Sequence, residues 1–149
     1  MKTKFILSGG YADHLNEENN KFFREILNTE KKELKILLVI FAKEREVWPE
    51  LKEKMVSQFE RNKEDKKLSY EIAEEDNFVN QCRETDIIYM HGGKTLKLLE
   101  FLRKFPDLKD YYQQRQPFYI LGAILGRLWF LLLYEAHPFF LIFEIEKRY

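Results

Sequence analysis

The sequence predicts an open α/β fold, a parallel sheet with helices on both faces. Three observations carry that expectation. Runs rich in β-formers alternate along the chain with amphipathic runs, the order that right-handed crossovers between parallel strands require. One run, Leu34–Phe41 (LKILLVIF), is almost continuously apolar, as a strand covered on both faces should be. Two of the strand-like runs end in paired glycines, Gly9-Gly10 and Gly92-Gly93, which punctuate a chain leaving a sheet.

The first element is Lys4–Ser8, a short strand closed by Gly9-Gly10. Asn16–Asn28 follows as a helix, because Phe22, Phe23, Ile26 and Leu27 recur on one face. Asn16 is its predicted N-cap, with Glu17 and Glu18 in the first turn, where acids complement the helix dipole. The strand Leu34–Phe41 comes next. A second helix is predicted from about Arg45 to Asn62, with Val47, Leu51, Met55 and Phe59 spaced by four and Pro49 early enough to be harmless.

Leu68–Ala73 alternates as a third strand, and Glu75–Arg83 reads as a short helix. Asp86–Met90 is a fourth strand ending at His91-Gly92-Gly93. Lys94–Phe105 is a helix with Leu98, Leu99 and Leu102 inward, stopped by Pro106. Phe118–Leu121 is a fifth strand ending at Gly122.

The composition bounds what such a domain does. At 149 residues the chain has the length of one domain. Its 25 lysines and arginines balance 25 aspartates and glutamates, which argues against a nucleic-acid binder held by bulk positive charge. A single cysteine, Cys82, excludes an internal disulfide framework and a cysteine-based zinc site; it is expected as a buried small hydrophobe. Met1–Gly10 has no long apolar region and runs straight into a strand, so a cytoplasmic location is expected. No cofactor is implied.

In open parallel sheets ligands sit beyond the carboxyl ends of the strands. Two loops have the composition for it: Ser8-Gly9-Gly10, and His91-Gly92-Gly93-Lys94-Thr95, which opens a helix. Paired glycines let backbone approach a ligand closely, and N–H groups at a helix start attract an anion or a developing oxyanion. Neither loop has the GxxxxGK[ST] or GxGxxG spacing of nucleotide-phosphate cradles. A plain turn accounts for the same glycines. His91 serves there as a base or ligand, or simply as a hydrogen-bonding loop residue. His14 is expected in a loop, and no HxxxH pair marks a metal site.

The run KFILSGG (Lys4–Gly10) and the run DIIYMHGGKTLKLLEFL (Asp86–Leu102) resemble the peptidase E and cyanophycinase-like serine peptidases. That family has a strand running into GGGNT or GGDT and then a helix with a leucine pair. His91, Gly92, Gly93, Lys94, Thr95, Leu98 and Leu99 occupy the pattern, with His91 in place of the first glycine and Lys94 in place of the Asn or Asp. The resemblance covers about residues 3–116. It implies a class I glutamine amidotransferase-like (flavodoxin-like) fold. It also implies that Gly9, Gly10, His91, Gly92, Gly93, Lys94 and Thr95 line an oxyanion and substrate site for a small peptide or acidic molecule.

The family then places a GxSAGA nucleophile elbow directly after the fifth strand. Here the chain reads Ile120-Leu121-Gly122-Ala123-Ile124-Leu125-Gly126-Arg127, and near Leu125, where the serine is expected, there is none. Residues 96–149 contain no serine, threonine or cysteine. Without a hydroxyl or thiol nucleophile the acyl transfer of a triad cannot start, so an inactive chain is expected.

The same region breaks with the rest in composition. From Pro117 to Tyr149, 22 of 33 residues are apolar and six are charged, whereas the first 116 residues hold the other 44 charges. The expected organisation is therefore a peptidase E-like part, 1–116, and a divergent tail, 117–149, with the C-terminal part of the domain missing or aberrant. A reading-frame shift explains this. Codons permitted for Ile124–Phe130 (such as ATC CTC GGC AGG CTA TGG TTT), read one nucleotide later, spell Ser-Ser-Ala-Gly-Tyr-Gly. Two alternatives stand beside it: the tail completes the core, or Pro117–Tyr134 forms a membrane anchor. The anchor would be near minimum length and would carry Arg127, at a cost of about 2.5–3.5 kcal/mol. A sheet edge left open by truncation would favour a homodimer.

Overall fold

A computed structural model describes residues 3–8, 14–105, 119–122 and 140–145. Its elements are β1 (Thr3–Ser8), α1 (Glu17–Leu27), β2 (Glu33–Val39), α2 (Trp48–Asn62), β3 (Lys67–Ile72), α3 (Phe78–Glu84), β4 (Ile87–Met90), α4 (Thr95–Leu102), β5 (Tyr119–Gly122) and β6 (Phe140–Ile145). The six strands form one sheet in the order β3-β2-β4-β5-β1-β6. β1 to β5 pair in parallel, as the alternation of elements demands.

β6 differs from the expectation of a wholly parallel sheet. It pairs antiparallel with β1 over six positions, from Thr3 opposite Ile145 to Ser8 opposite Phe140. The stretch proposed as a membrane anchor is also partly taken up by the sheet, because Tyr119–Gly122 is hydrogen-bonded between β4 and β1. Among the described residues no helix is long and apolar enough to cross a membrane.

Period-two alternation in the strands creates two cores. On one face Ile36, Leu38, Ile40, Ile87, Tyr89 and Ile6 meet Phe22, Phe23 and Ile26 of α1 and Leu51, Met55 and Phe59 of α2. The ring of Phe23 stands edge-on to Phe59 at 4.9 Å, and Phe59 edge-on to Tyr89 at 5.4 Å. On the other face Leu37, Val39, Phe41, Ile88 and Met90 meet Phe78 and Cys82 of α3 and Leu98 and Phe101 of α4. Every side chain of β4 is buried, which explains why that strand reads as an unbroken apolar run.

Local chemistry sets the helix boundaries. Asn16 is extended and its side chain accepts the Asn19 N–H at 2.8 Å, the predicted cap. The second helix begins as a 3-10 turn, Arg45–Val47, before α2 proper, so Val47 stands exposed instead of joining the fourfold stripe. Trp48 is half-buried and donates its ring N–H to the Lys43 carbonyl. In α4, Leu98 and Phe101 are the buried residues, while Leu99 and Leu102 are half-buried.

Candidate functional site

Parallel strands put all their carboxyl ends at one edge, and register fixes how those ends line up. Tyr89 lies opposite Leu121 and Met90 opposite Gly122, while Ile6 lies opposite Leu121 on the other side of β5. The chain leaving β5 at Gly122 therefore emerges between the end of β1 at Ser8 and the end of β4 at Met90. With a strand spacing of about 4.8 Å, those two ends stand roughly 10 Å apart across it. Gly9 and Gly10 lie outside the described residues, but Ser8, from which they follow, sits at this edge and is buried. β1 and β4 thus end on the same side of the sheet and flank the end of β5.

The loop after β4 is held firmly. The His91 N–H donates to the Val39 carbonyl at 2.8 Å and the Lys94 N–H to the Ala42 carbonyl at 3.0 Å. Gly93 packs so closely on the β2–α2 loop that a Cβ there would sit 2.5 Å from the Ala42 oxygen. That contact, more than a turn requirement, explains the glycine. His91 is buried, and its Nδ1 lies 2.6 Å from the Gly92 carbonyl. A carbonyl only accepts, so Nδ1 carries the proton in this contact. Lys94 is the residue preceding α4, and Thr95 opens the helix.

Charge closes one crevice at this edge. β2 sends its chain to α2 on one face, and its neighbour β4 sends its chain to α4 on the other, which makes the space between them a switch point where open sheets place ligands. Here Gly93 against Ala42 fills that space, and Glu44 spans it. One Glu44 oxygen meets Lys94 Nζ at 3.0 Å and the other meets Lys97 Nζ at 2.9 Å. Hydrogen bonds from Lys97 and then Lys94 pull the Glu44 carboxyl down to about 2. Nothing in the sequence pointed to Ala42, Glu44 or Lys97, because their contribution depends on β2 and β4 being neighbours despite the roughly fifty residues between them.

Other expected features fall elsewhere. His14 is exposed in the loop before α1, its carbonyl taken by Asn19 Nδ2 at 2.6 Å and Gln58 Nε2 at 3.3 Å. Cys82 is fully buried. The segment around Leu125 lies outside the described residues. A cleft of about 480 Å³ opens at the opposite edge, where α1 and α2 end, lined by Lys21, Arg24, Lys32, Lys63 and Lys66 among others. Helix C-termini favour cations, and here Lys66 donates to the Thr29 and Lys31 carbonyls while Lys32 and Lys63 pair with Asp65 and Glu60. Among the described residues no group of three His, Cys, Asp or Glu side chains is placed to hold a metal.

β1 to β5 and the helices between them form a crossover α/β sheet whose strands β1, β4 and β5 end together at its carboxyl edge. Solved structures share this arrangement. The chain superposes on a protein described as a peptidase E from Listeria monocytogenes EGD-e with a TM-score of 0.58, at 16% identity over 83% of this chain. It superposes on a peptidase from an acI-B1 Actinobacterium with a TM-score of 0.56, at 17% identity over 83% of this chain. The fold is peptidase E-like. The match spans 60% and 55% of the length of those two proteins. No protein-family model matches the sequence, and no curated protein does.

Proposed function

We propose that this chain is a peptidase E-like domain without hydrolytic activity, able at most to hold a small peptide or acidic molecule at its glycine loops. The observation that carries the reading joins register to sequence. β5 ends at Gly122 between the Ser8 and Met90 ends, the point after which the family pattern has its nucleophile elbow, and the sequence from residue 96 to 149 offers no serine, threonine or cysteine. An oxyanion-type loop lowers a barrier only when something attacks the carbonyl. The resemblance of His91-Gly92-Gly93-Lys94-Thr95 to the family's glycine motif supports the ligand class. The lack of a long apolar run in Met1–Gly10 supports a cytoplasmic setting.

Incubating the purified chain with Asp-X dipeptides tests this. No release of aspartate is expected at any pH between 5 and 9, and turnover that survives further purification overturns the reading.

A further inference from the structure

We propose, resting on the reading of the His91–Thr95 loop as the seat of a small acidic molecule, that Lys94 and Lys97 are the pair that recognises that molecule's carboxylate. Glu44 occupies the pair as a built-in competitor, which the ligand displaces. The way Glu44 is held shows what the two lysines accept. One of its oxygens meets Lys94 Nζ at 3.0 Å and the other meets Lys97 Nζ at 2.9 Å, so each oxygen of one carboxylate has its own ammonium group. Two positive charges face one negative, which leaves a surplus cation even with Glu44 in place.

The lysines are held by contacts that do not involve Glu44. The Lys94 backbone N–H donates to the Ala42 carbonyl at 3.0 Å, and Lys97 Nζ also donates to the Lys43 carbonyl at 3.3 Å. Glu44 immediately precedes the 3-10 turn Arg45–Val47, yet its side chain makes no capping hydrogen bond to that turn. Its carboxylate can therefore swing out without uncapping anything, while the pair of lysines stays. All three side chains are open to solvent, 73% for Lys94, 41% for Lys97 and 55% for Glu44, so a solute reaches them directly. Exposed ion pairs are weak, which makes the exchange of one carboxylate for another cheap. Hydrogen bonds from Lys97 and then Lys94 draw the Glu44 carboxyl down to about 2, so at neutral pH the exchange is carboxylate for carboxylate.

NMR titration of the full 149-residue chain with succinate, a plain dicarboxylate, at neutral pH tests this. Succinate should shift the side-chain signals of Lys94 and Lys97, and should move the Glu44 carboxyl carbon toward its position in the Lys94→Met, Lys97→Met double variant. Neutral succinamide should do neither. Glu44→Ala should tighten succinate binding by about three- to tenfold, the weight of two exposed bridges. The double lysine variant should lose saturable binding. Glu33→Ala removes the same charge at the other end of β2, roughly 20 Å away, and should leave the affinity unchanged. Circular dichroism checks that each variant folds. No saturable binding of succinate to the Glu44→Ala protein overturns the inference, as does equal affinity in wild type and Glu44→Ala. Equal tightening by Glu33→Ala and Glu44→Ala also overturns it, because net charge alone would then explain the gain. These outcomes leave the absence of hydrolysis standing, whereas turnover of Asp-X dipeptides overturns the proposed function and leaves the succinate result as measured.

Discussion

Gly93 rests directly on the backbone of Ala42: a side chain added to it would place its first carbon 2.5 Å from the Ala42 oxygen and 3.0 Å from the Ala42 carbonyl carbon. The obstacle is backbone, which cannot swing aside as a flexible side chain would. The glycine loop after β4 is therefore locked to the loop after β2 at the carboxyl edge of the sheet.

Gly93→Ala should destabilise the domain by about 1–3 kcal/mol, the usual cost of forcing extra volume into a packed site. Urea denaturation of the variant beside the parent protein measures this. An unchanged midpoint would mean that the two loops are not in contact.

The Glu44 bridge predicts a pH dependence of defined sign. Its folded value, about 2, lies below the ordinary carboxylate value of 4.5, so the bridge contributes stability above pH 4.5 and loses it as the pH falls toward 2. All three side chains are well exposed, so the effect is small and sensitive to salt. Carbon-detected NMR titration should find Glu44 titrating near 2, and nearer its ordinary value in Lys97→Met. A wild-type midpoint of about 4.5 would remove the bridge from the account.

Asn16→Ala removes the acceptor for the Asn19 N–H at the start of α1. The loss should be about 1 kcal/mol, read by thermal or chemical melting. Asn16→Asp, which keeps an acceptor beside the helix N-terminus, should restore most of it.

Much of this architecture was legible because the physics is local. The continuous apolar run at Leu34–Phe41 announced a strand buried on both faces, and the fourfold spacing of Leu51, Met55 and Phe59 announced the face of α2. Asn16 declared its cap. Val47 misled, because its spacing fits the stripe while its backbone lies in the preceding 3-10 turn. β6 was hidden for a different reason: Phe139–Phe143 is continuously apolar, and such a run carries no period to separate strand from helix or to set its direction. The glycine loop was visible in HGGKT, but its support by Ala42 and Glu44 was not. Those contacts exist only once β2 and β4 lie side by side.

The gene provides a test that needs no protein. If the divergent tail arose by a frame shift, the DNA near the codons for Gln116–Ile124 lies one nucleotide from a frame encoding serine followed by Ala-Gly. That frame should stay open and supply a histidine. A stop codon within a few residues, or no serine, leaves the tail to be explained as part of the sheet, to which β6 already belongs.

The proposed function rests on an edge beside β5 to which residues 96–149 bring no serine, threonine or cysteine. The most direct measurement is treatment of the folded chain with a serine-directed fluorophosphonate, followed by intact mass and peptide mapping. The account predicts an unchanged mass at reagent concentrations that fully label an active serine peptidase. A stoichiometric adduct that is lost on unfolding before treatment, and that maps to the edge where Ser8, Met90 and Gly122 end their strands, would contradict it.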